Sequence, residues 1–320
     1  MRNCFRKTLQ PFEKYISAEL IWMGSKYLRA RSRNQNVKPL RWLIRKNIEL
    51  LVNRMKVVRE DNSFANESAA IEQIFEKLVI EEKYLVDIGA ADGIRQSSTA
   101  LFLNERGWSG TLFEFDSDSF AKLAFLYSDR NDLQLCKSKV TPGNIEGLLQ
   151  SLDVPRNFGY LNIDIDSYDL AVLREMLKAN FMPLVISMEV NEIFPPQLYF
   201  EVLYDEKHSW QGDHFFGCSL AAAEASLRNF GYSLVRVEYN NAIFLRKDRS
   251  AALQLPRGLE DAYNEGYLNK KDRSELFPWN SSMEFMHSDR STSEKIDRIN
   301  EIFLKYQGKY ILKESSPRLN

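Results

Sequence analysis

Between positions 84 and 246, short apolar runs alternate with stretches in which apolar residues recur every third or fourth position. Runs of the first kind read as strands buried on both faces, the second as helices packed against a sheet. Strand-like runs fall at 84–88, 111–113, 133–136, 160–165 and 184–190. Helical spacing covers 97–106, 119–127, 145–152, 170–177 and 219–230, the last stopped by Gly231. Two further strand-like runs, YSLVRVEY (232–239) and AIFLR (242–246), are separated only by Asn240-Asn241. So short a polar connection requires a hairpin, which makes the last strand antiparallel. The pattern predicts an α/β fold: a doubly wound, mostly parallel, seven-stranded sheet closed by a C-terminal antiparallel hairpin.

The flanks differ from this centre. Residues 1–60 carry a charge of +11, against −12 for the other 260. Within this arm Leu40, Leu43, Ile44, Ile48, Leu51 and Val52 keep helical spacing, with Arg41, Arg45, Lys46, Arg54 and Lys56 between them. A basic amphipathic helix suits an anionic membrane surface or nucleic acid. It equally suits a helical extension with solvated charges, and no aromatic or glycine-rich RNA-binding motif accompanies it. The chain divides into a basic helical extension (1–60), a linker and entry helix (61–79), the α/β domain (80–248) and a helical appendage (249–320). In the appendage, Phe277, Trp279 and Phe285 either line an acceptor groove or clamp the appendage onto the core.

Composition narrows the class. The 44% apolar and 27% charged residues fit a globular chain rather than a disordered one. No uncharged apolar run approaches the ~18 residues of a membrane span. The N-terminal stretch lacks the apolar core of a secretory signal. Cys4, Cys136 and Cys218 are odd in number and have no C-x-x-C spacing, which argues against a disulfide framework and a cysteine zinc site. The expected location is the cytoplasm, with membrane-peripheral contact through the arm as the variant.

The chemistry begins at VDIGAADG, where Gly89 and Gly93 let the backbone turn tightly at the end of the first strand. Glu114 follows Gly93 by 21 residues, at the end of the second strand. A carboxylate about 20 residues beyond a glycine turn is placed to accept hydrogen bonds from a ribose. A dinucleotide turn would be G-x-G-x-x-G, but here the middle glycine is missing and Asp92 would repel a pyrophosphate. S-adenosylmethionine has no phosphate, and its ammonium and sulfonium groups favour nearby acids. The expected cofactor-binding residues are therefore Asp87, Gly89, Ala90, Asp92, Gly93, Glu114 and Phe115, with Asp164 beside them.

A second group of acids follows the fourth and fifth strands: Asp164, Asp166 and Asp169 in NIDIDSYD, then Glu189 and Asn191 in SMEVN. In parallel sheets, ligands collect at the carboxyl edge, so these groups are expected to face the same crevice as Gly89 and Glu114. Clustered carboxylates repel one another unless they are solvated or a cation neutralises them. Asp164, Glu189 and Asn191 are candidate oxygen ligands for Mg²⁺ or another divalent cation. Asp164 and Asp166 are alternatively candidate bases for a hydroxyl acceptor, as is His214 in the QGDHFFGCSL loop. His208 is the weaker histidine, and His287 is expected to be structural.

The D-x-G-x-x-x-G form of Asp87, Gly89 and Gly93 resembles motif I of class I methyltransferases. With WSGTLFEFD, LNIDIDSYD, ISMEVN and FFGCSL, it resembles the FkbM-related branch over roughly residues 80–247. That resemblance implies O-methylation of a hydroxyl on a sugar, polysaccharide or polyketide-type natural product. A more distant resemblance to metal-dependent sugar O-methyltransferases implies an acid after strand four and an acidic pair after strand five. Here Asn191 follows Glu189 with one residue between, where an adjacent acid is usual; Phe115 replaces a proline and Ser167 a glycine. Two other functions compete: a nicotinamide-dependent oxidoreductase, disfavoured by Ala91-Asp92 and the lack of a Tyr-x-x-x-Lys pair, and a non-catalytic binding protein working through its basic arm.

Overall fold

Residues 63–315 are described in the computed structural model. Five strands, β1 (Tyr84–Ile88), β2 (Ser109–Glu114), β3 (Leu133–Lys137), β4 (Asn157–Ile163) and β5 (Met182–Glu189), pair in parallel. The second of two later strands, β7 (Tyr232–Glu238) and β8 (Asn241–Arg246), inserts antiparallel beside β5. The order is β3-β2-β1-β4-β5-β8-β7. This is the doubly wound, Rossmann-like fold, mostly parallel and closed by an antiparallel hairpin, that the alternating pattern predicts. Central strands β4 and β5 are apolar almost throughout because helices cover both their faces.

One face carries α1 (Glu67–Phe75), α2 (Ala100–Glu105) and α3 (Ser117–Leu126). Their Ile71, Phe102 and Leu123 pack in one cluster with Leu85, Tyr160, Val185 and Ile243 of the strands. The other face carries α4 (Ile145–Ser151), α5 (Asp169–Lys178) and α6 (Leu220–Asn229), whose Ile145, Leu173 and Leu227 pack with Val86, Ile88, Ile163 and Met188. Strand alternation assigns every second residue to one cluster, and that alternation orients the site.

The structure departs from the pattern in three places. Helix α2 starts at Ala100 instead of Ser97, because the hydroxyls before it are engaged elsewhere: Thr99 donates to Asp87 at 2.6 Å, and Ser98 accepts from Tyr160 at 3.3 Å. The hairpin turn is Tyr239-Asn240, one residue earlier than expected, with Glu238 paired to Asn241. Tyr239 takes φ +54° there, held by its backbone bond to Gly266 and by its hydroxyl, which donates to Asp272 at 2.7 Å. Lastly, the tail is not wholly helical. Alongside α7 (Leu259–Tyr263), α8 (Arg273–Leu276) and α9 (Thr292–Ile302), its strand β9 (Tyr310–Glu314) pairs antiparallel with β6 (Leu198–Val202) in a separate two-stranded sheet. A strand whose partner lies over a hundred residues away carries no local hairpin signal. Phe194, Phe200, Phe215, Met283, Ile299 and Phe303 bury this second sheet in a cluster of their own.

Candidate active site

The glycine turn is built by close approach. Gly89 sits at φ +96°, and a Cβ there would lie 1.8 Å from the Asp164 carbonyl oxygen. Gly93, at φ +74°, leaves room for Leu123, whose Cδ1 would be 2.6 Å from a Cβ. The Gly89 and Ala90 amides both donate to the Phe113 carbonyl at 3.0 Å. Glu114 closes the turn from below: its carboxylate accepts from the Ala91 amide at 2.8 Å and the Asp116 amide at 2.5 Å. Beside it the Phe115 ring is 64% exposed. Asp92 accepts from the Ile94 and Arg95 amides and pairs with the Arg95 guanidinium at 2.9 Å. Burial opposes its charge, yet these bonds together hold its carboxyl below the usual value. It shapes the turn.

Two polar rows cross the α1–α2 face of an otherwise apolar sheet. Asp87, Asn162 and Ser187 are neighbours in register on β1, β4 and β5. Asp87 is 2% exposed, accepts from Asn162 at 2.9 Å as well as from Thr99, and has its pKa raised by burial. One step nearer the carboxyl edge, on the same face, come Gly89, Asp164 and Glu189. One carboxylate oxygen each from Asp164, Asp166 and Glu189 lies within 4.8 Å of the others. Burial, then the neighbouring acids, pushes the pKa of Asp164 and of Glu189 well above the carboxylate range, and burial raises Asp166 too. No Lys or Arg among the described residues pairs with these three.

The surroundings hold the cluster in place. Asp166 adopts φ +52°, and Asp169 shapes the loop by accepting from the Ile165 amide at 2.7 Å and the Ser167 amide at 3.1 Å. Burial raises Asp169 to about 6 against those bonds. Asn240 of the hairpin turn donates to Glu189 at 3.1 Å, while the other Glu189 oxygen is buried with no hydrogen-bond partner. Asn191 spends its amide hydrogens on the His214 and Phe216 carbonyls at 2.9 and 3.0 Å, leaving its Oδ1 buried without a partner. The orphaned Glu189 oxygen and the two neighbouring acids are a donor set of the kind a hard divalent cation takes.

His214 lies against the appendage. Its Nε2 faces the Asn280 Oδ1 at 3.1 Å, a contact in which the ring must be the donor, since Asn280 gives its own Nδ2 to Glu192 at 2.6 Å. Burial lowers the His214 pKa and raises Glu192 to about 7. His208 stacks edge-on against Phe215, and His287, lowered to about 4 by burial, lies beside Tyr263 and Tyr267. Of the three tail aromatics, Phe277 is a buried clamp against Phe64, Tyr239 and Tyr267, Phe285 is half-buried, and Trp279 is exposed.

Asn162, Ser187 and Thr99 are site residues beyond those the sequence pattern marks, and Asn240 is marked there only as part of the hairpin turn. A signal existed for the first two: polar residues two positions before Asp164 and Glu189 in apolar strands share their face. Thr99 and Asn240 carry no such mark. The basic arm and Cys4 lie outside the described residues, and no helix among those described is long and apolar enough to cross a membrane.

No family model matches the chain, and no curated protein matches its sequence. Among solved structures it is similar to the N-terminal domain of EvdMO1 with SAH bound, at 12% identity and a TM-score of 0.37, over 57% of this chain and 78% of that one. It is also similar to a putative caffeoyl-CoA O-methyltransferase from Staphylococcus aureus, at 10% identity and a TM-score of 0.36, over 71% and 99%. A third is the METTL16 MTase domain, at 12% identity and a TM-score of 0.37, over 56% and 65%. Likenesses this distant carry no weight for function, and the fold stands on its own strand order and register.

Proposed function

We propose that the protein is a SAM-dependent O-methyltransferase acting on a hydroxyl of a saccharide, glycan or related natural product, assisted by a divalent cation. The observation that carries this reading is the cluster of Asp164, Asp166 and Glu189 beside an acid-bearing glycine turn. A pyrophosphate would meet repulsion there; a sulfonium cofactor and a metal ion would meet the charge they need. The FkbM-like motifs supply the acceptor class.

Glu114 takes the ribose hydroxyls, Phe115 covers the adenine, and Gly89, Ala90 and Gly93 let the backbone approach the cofactor. Asp164, Asp166 and Glu189 hold the cation, with the free oxygen of Asn191 as a further ligand. When bound, the cation lowers the acceptor's pKa and orients its oxygen. The protein's main task is in-line positioning, because positive charge is lost from sulfur as the methyl group moves. The acceptor oxygen bonds to the methyl carbon, the C–S electron pair stays on sulfur, and the acceptor proton passes to a carboxylate. Whichever of Asp164 and Asp166 is not spent on the cation is the candidate base, since His214 already donates to the appendage.

Transfer of labelled methyl from SAM to a panel of glycans, with Mg²⁺ or with EDTA, tests the reading. Labelled glycan that needs Mg²⁺ is the expected outcome. Labelling of nitrogen acceptors alone, or of none, would overturn it.

A further inference from the structure

Residues 203–217 join β6 to α6, and this loop is tied to both segments that carry the acids. The Gly217 amide donates to the carbonyl of Ser167, the neighbour of Asp166, at 2.8 Å. Asn191, two residues past Glu189, holds the His214 and Phe216 carbonyls with its side chain. At the start of the loop, the Tyr204 ring meets buried Tyr168 edge-on with centroids 4.8 Å apart, two residues past Asp166. Two rings of this loop face water, Tyr204 at 42% and Trp210 at 46% exposure. Trp210 is exposed but not loose. Its Nε1 donates to the Asp213 carbonyl at 2.6 Å, and its ring lies edge-on to Phe216 at 6.4 Å. Asp213 is pinned in turn by the Tyr306 hydroxyl at 2.7 Å and by Lys305 at 2.9 Å. The one polar group of the indole is spent inside the loop, so what it offers outward is an apolar ring face held in place.

Charge narrows what such a face can take. Asp205 is spent on Lys309 at 3.0 Å, Asp213 on Lys305, and Lys139 on the Glu206 carbonyl at 2.6 Å. Glu206 and Lys207 carry opposite signs side by side. A nucleic acid or an anionic membrane would want a concentrated positive patch, and this loop has none. A neutral ring needs no counter-charge. A pyranose presents an apolar face of C–H groups and keeps its hydroxyls at the rim, so a sugar lying on an indole can still extend one hydroxyl toward the acids. A ring fixed beforehand also costs little ordering entropy on binding. We propose that loop 203–217 is the acceptor platform, with the Trp210 ring stacking on the apolar face of a pyranose and Tyr204 flanking it on the side of the acid cluster. This deepens the methyltransferase reading and rests on it: the acceptor is narrowed to a hydroxyl carried on a sugar ring.

Saturation-transfer NMR on the full chain, loaded with S-adenosylhomocysteine and Mg²⁺, tests this. The probes are the methyl pyranosides of glucose, galactose and mannose, with glucitol as the control that has the hydroxyls but no ring, and caffeic acid as a flat phenol. Transfer to the C–H protons of one ring face is expected for at least one pyranoside, and none for glucitol. Trp210→Ala is expected to weaken that pyranoside by about 10-fold or more, the scale of one lost apolar contact face. Trp210→Phe keeps a ring and is expected to stay within about threefold of wild type, and both variants should bind S-adenosylhomocysteine within about twofold of it. Equal pyranoside binding by wild type and Trp210→Ala overturns the assignment. So does a parallel loss of S-adenosylhomocysteine in Trp210→Ala, the mark of a merely structural tryptophan, and so does binding of caffeic acid with the pyranosides silent. If wild type binds no S-adenosylhomocysteine, the methyltransferase reading itself falls; if it binds S-adenosylhomocysteine and no pyranoside, only the platform falls.

Discussion

The carboxyl edge of the main sheet and the small second sheet are built on opposite principles. At the edge, Asp87, Asn162, Ser187 and Glu189 are buried polar groups in strands that are otherwise apolar, and the acids hold their protons more tightly than usual. Around the second sheet, ring stacks on ring: Phe215 lies 3.8 Å from Tyr306 at 10°, and Phe194 lies 4.2 Å from Phe200 at 7°. The two regions meet in one stretch of chain. Glu189 belongs to the acid cluster, and Phe194, five residues on, belongs to the aromatic cluster. Edge burial of acids costs stability that a cation or ligand can return, while aromatic burial around the second sheet contributes stability outright. The chain thus keeps its cohesive packing next to, and separate from, its reactive groups.

Substitutions should divide along that line. Asp164→Asn, at the edge, is expected to lower turnover by about 10²–10⁴-fold while S-adenosylhomocysteine affinity stays close to wild type; lost cofactor affinity in calorimetry would move Asp164 out of the acceptor site. Phe200→Ala, in the second sheet, should cost about 3–5 kcal/mol of stability by denaturant unfolding. A loss below about 1 kcal/mol would mean the aromatic cluster is not what holds the second sheet. Glu114→Ala should cost about 2–4 kcal/mol of cofactor binding, from two charge-assisted hydrogen bonds to the ribose. Unchanged affinity would misplace the ribose. The smallest effect is expected where the regions touch. Glu192 has its carboxyl raised from the ordinary glutamate value to about 7, so the folded state binds that proton more tightly than the unfolded state does. Its contribution to stability therefore falls as pH rises from about 4.5 to about 7 and is flat above. Glu192→Gln should flatten that part of the melting-temperature profile, and an unaltered slope would place the titration elsewhere.

The sheet was legible because its signals are local. Residues 84–88 and 184–190 are apolar runs of strand length, and the close spacing of 232–239 and 242–246 permits nothing but a hairpin. The exact turn was not legible, since Tyr239 is drawn into it by Gly266 and Asp272, contacts that no local pattern encodes. The pairing of β6 with β9 escaped for the same reason. At the site, the residue types of the acid cluster could be read, because carboxylates at strand ends are visible as such. The engagement of His214 with Asn280 could not, because it joins loops far apart in the chain.

The central claim is that the acid-lined turn receives a sulfonium cofactor rather than a dinucleotide. Calorimetric titration of the full chain with S-adenosylhomocysteine, with and without Mg²⁺ and with NAD as the control, tests it most directly. The account predicts binding near about 1 μM, some −8 kcal/mol, for S-adenosylhomocysteine and no heat with NAD. NAD binding, or silence from S-adenosylhomocysteine in both conditions, would contradict it.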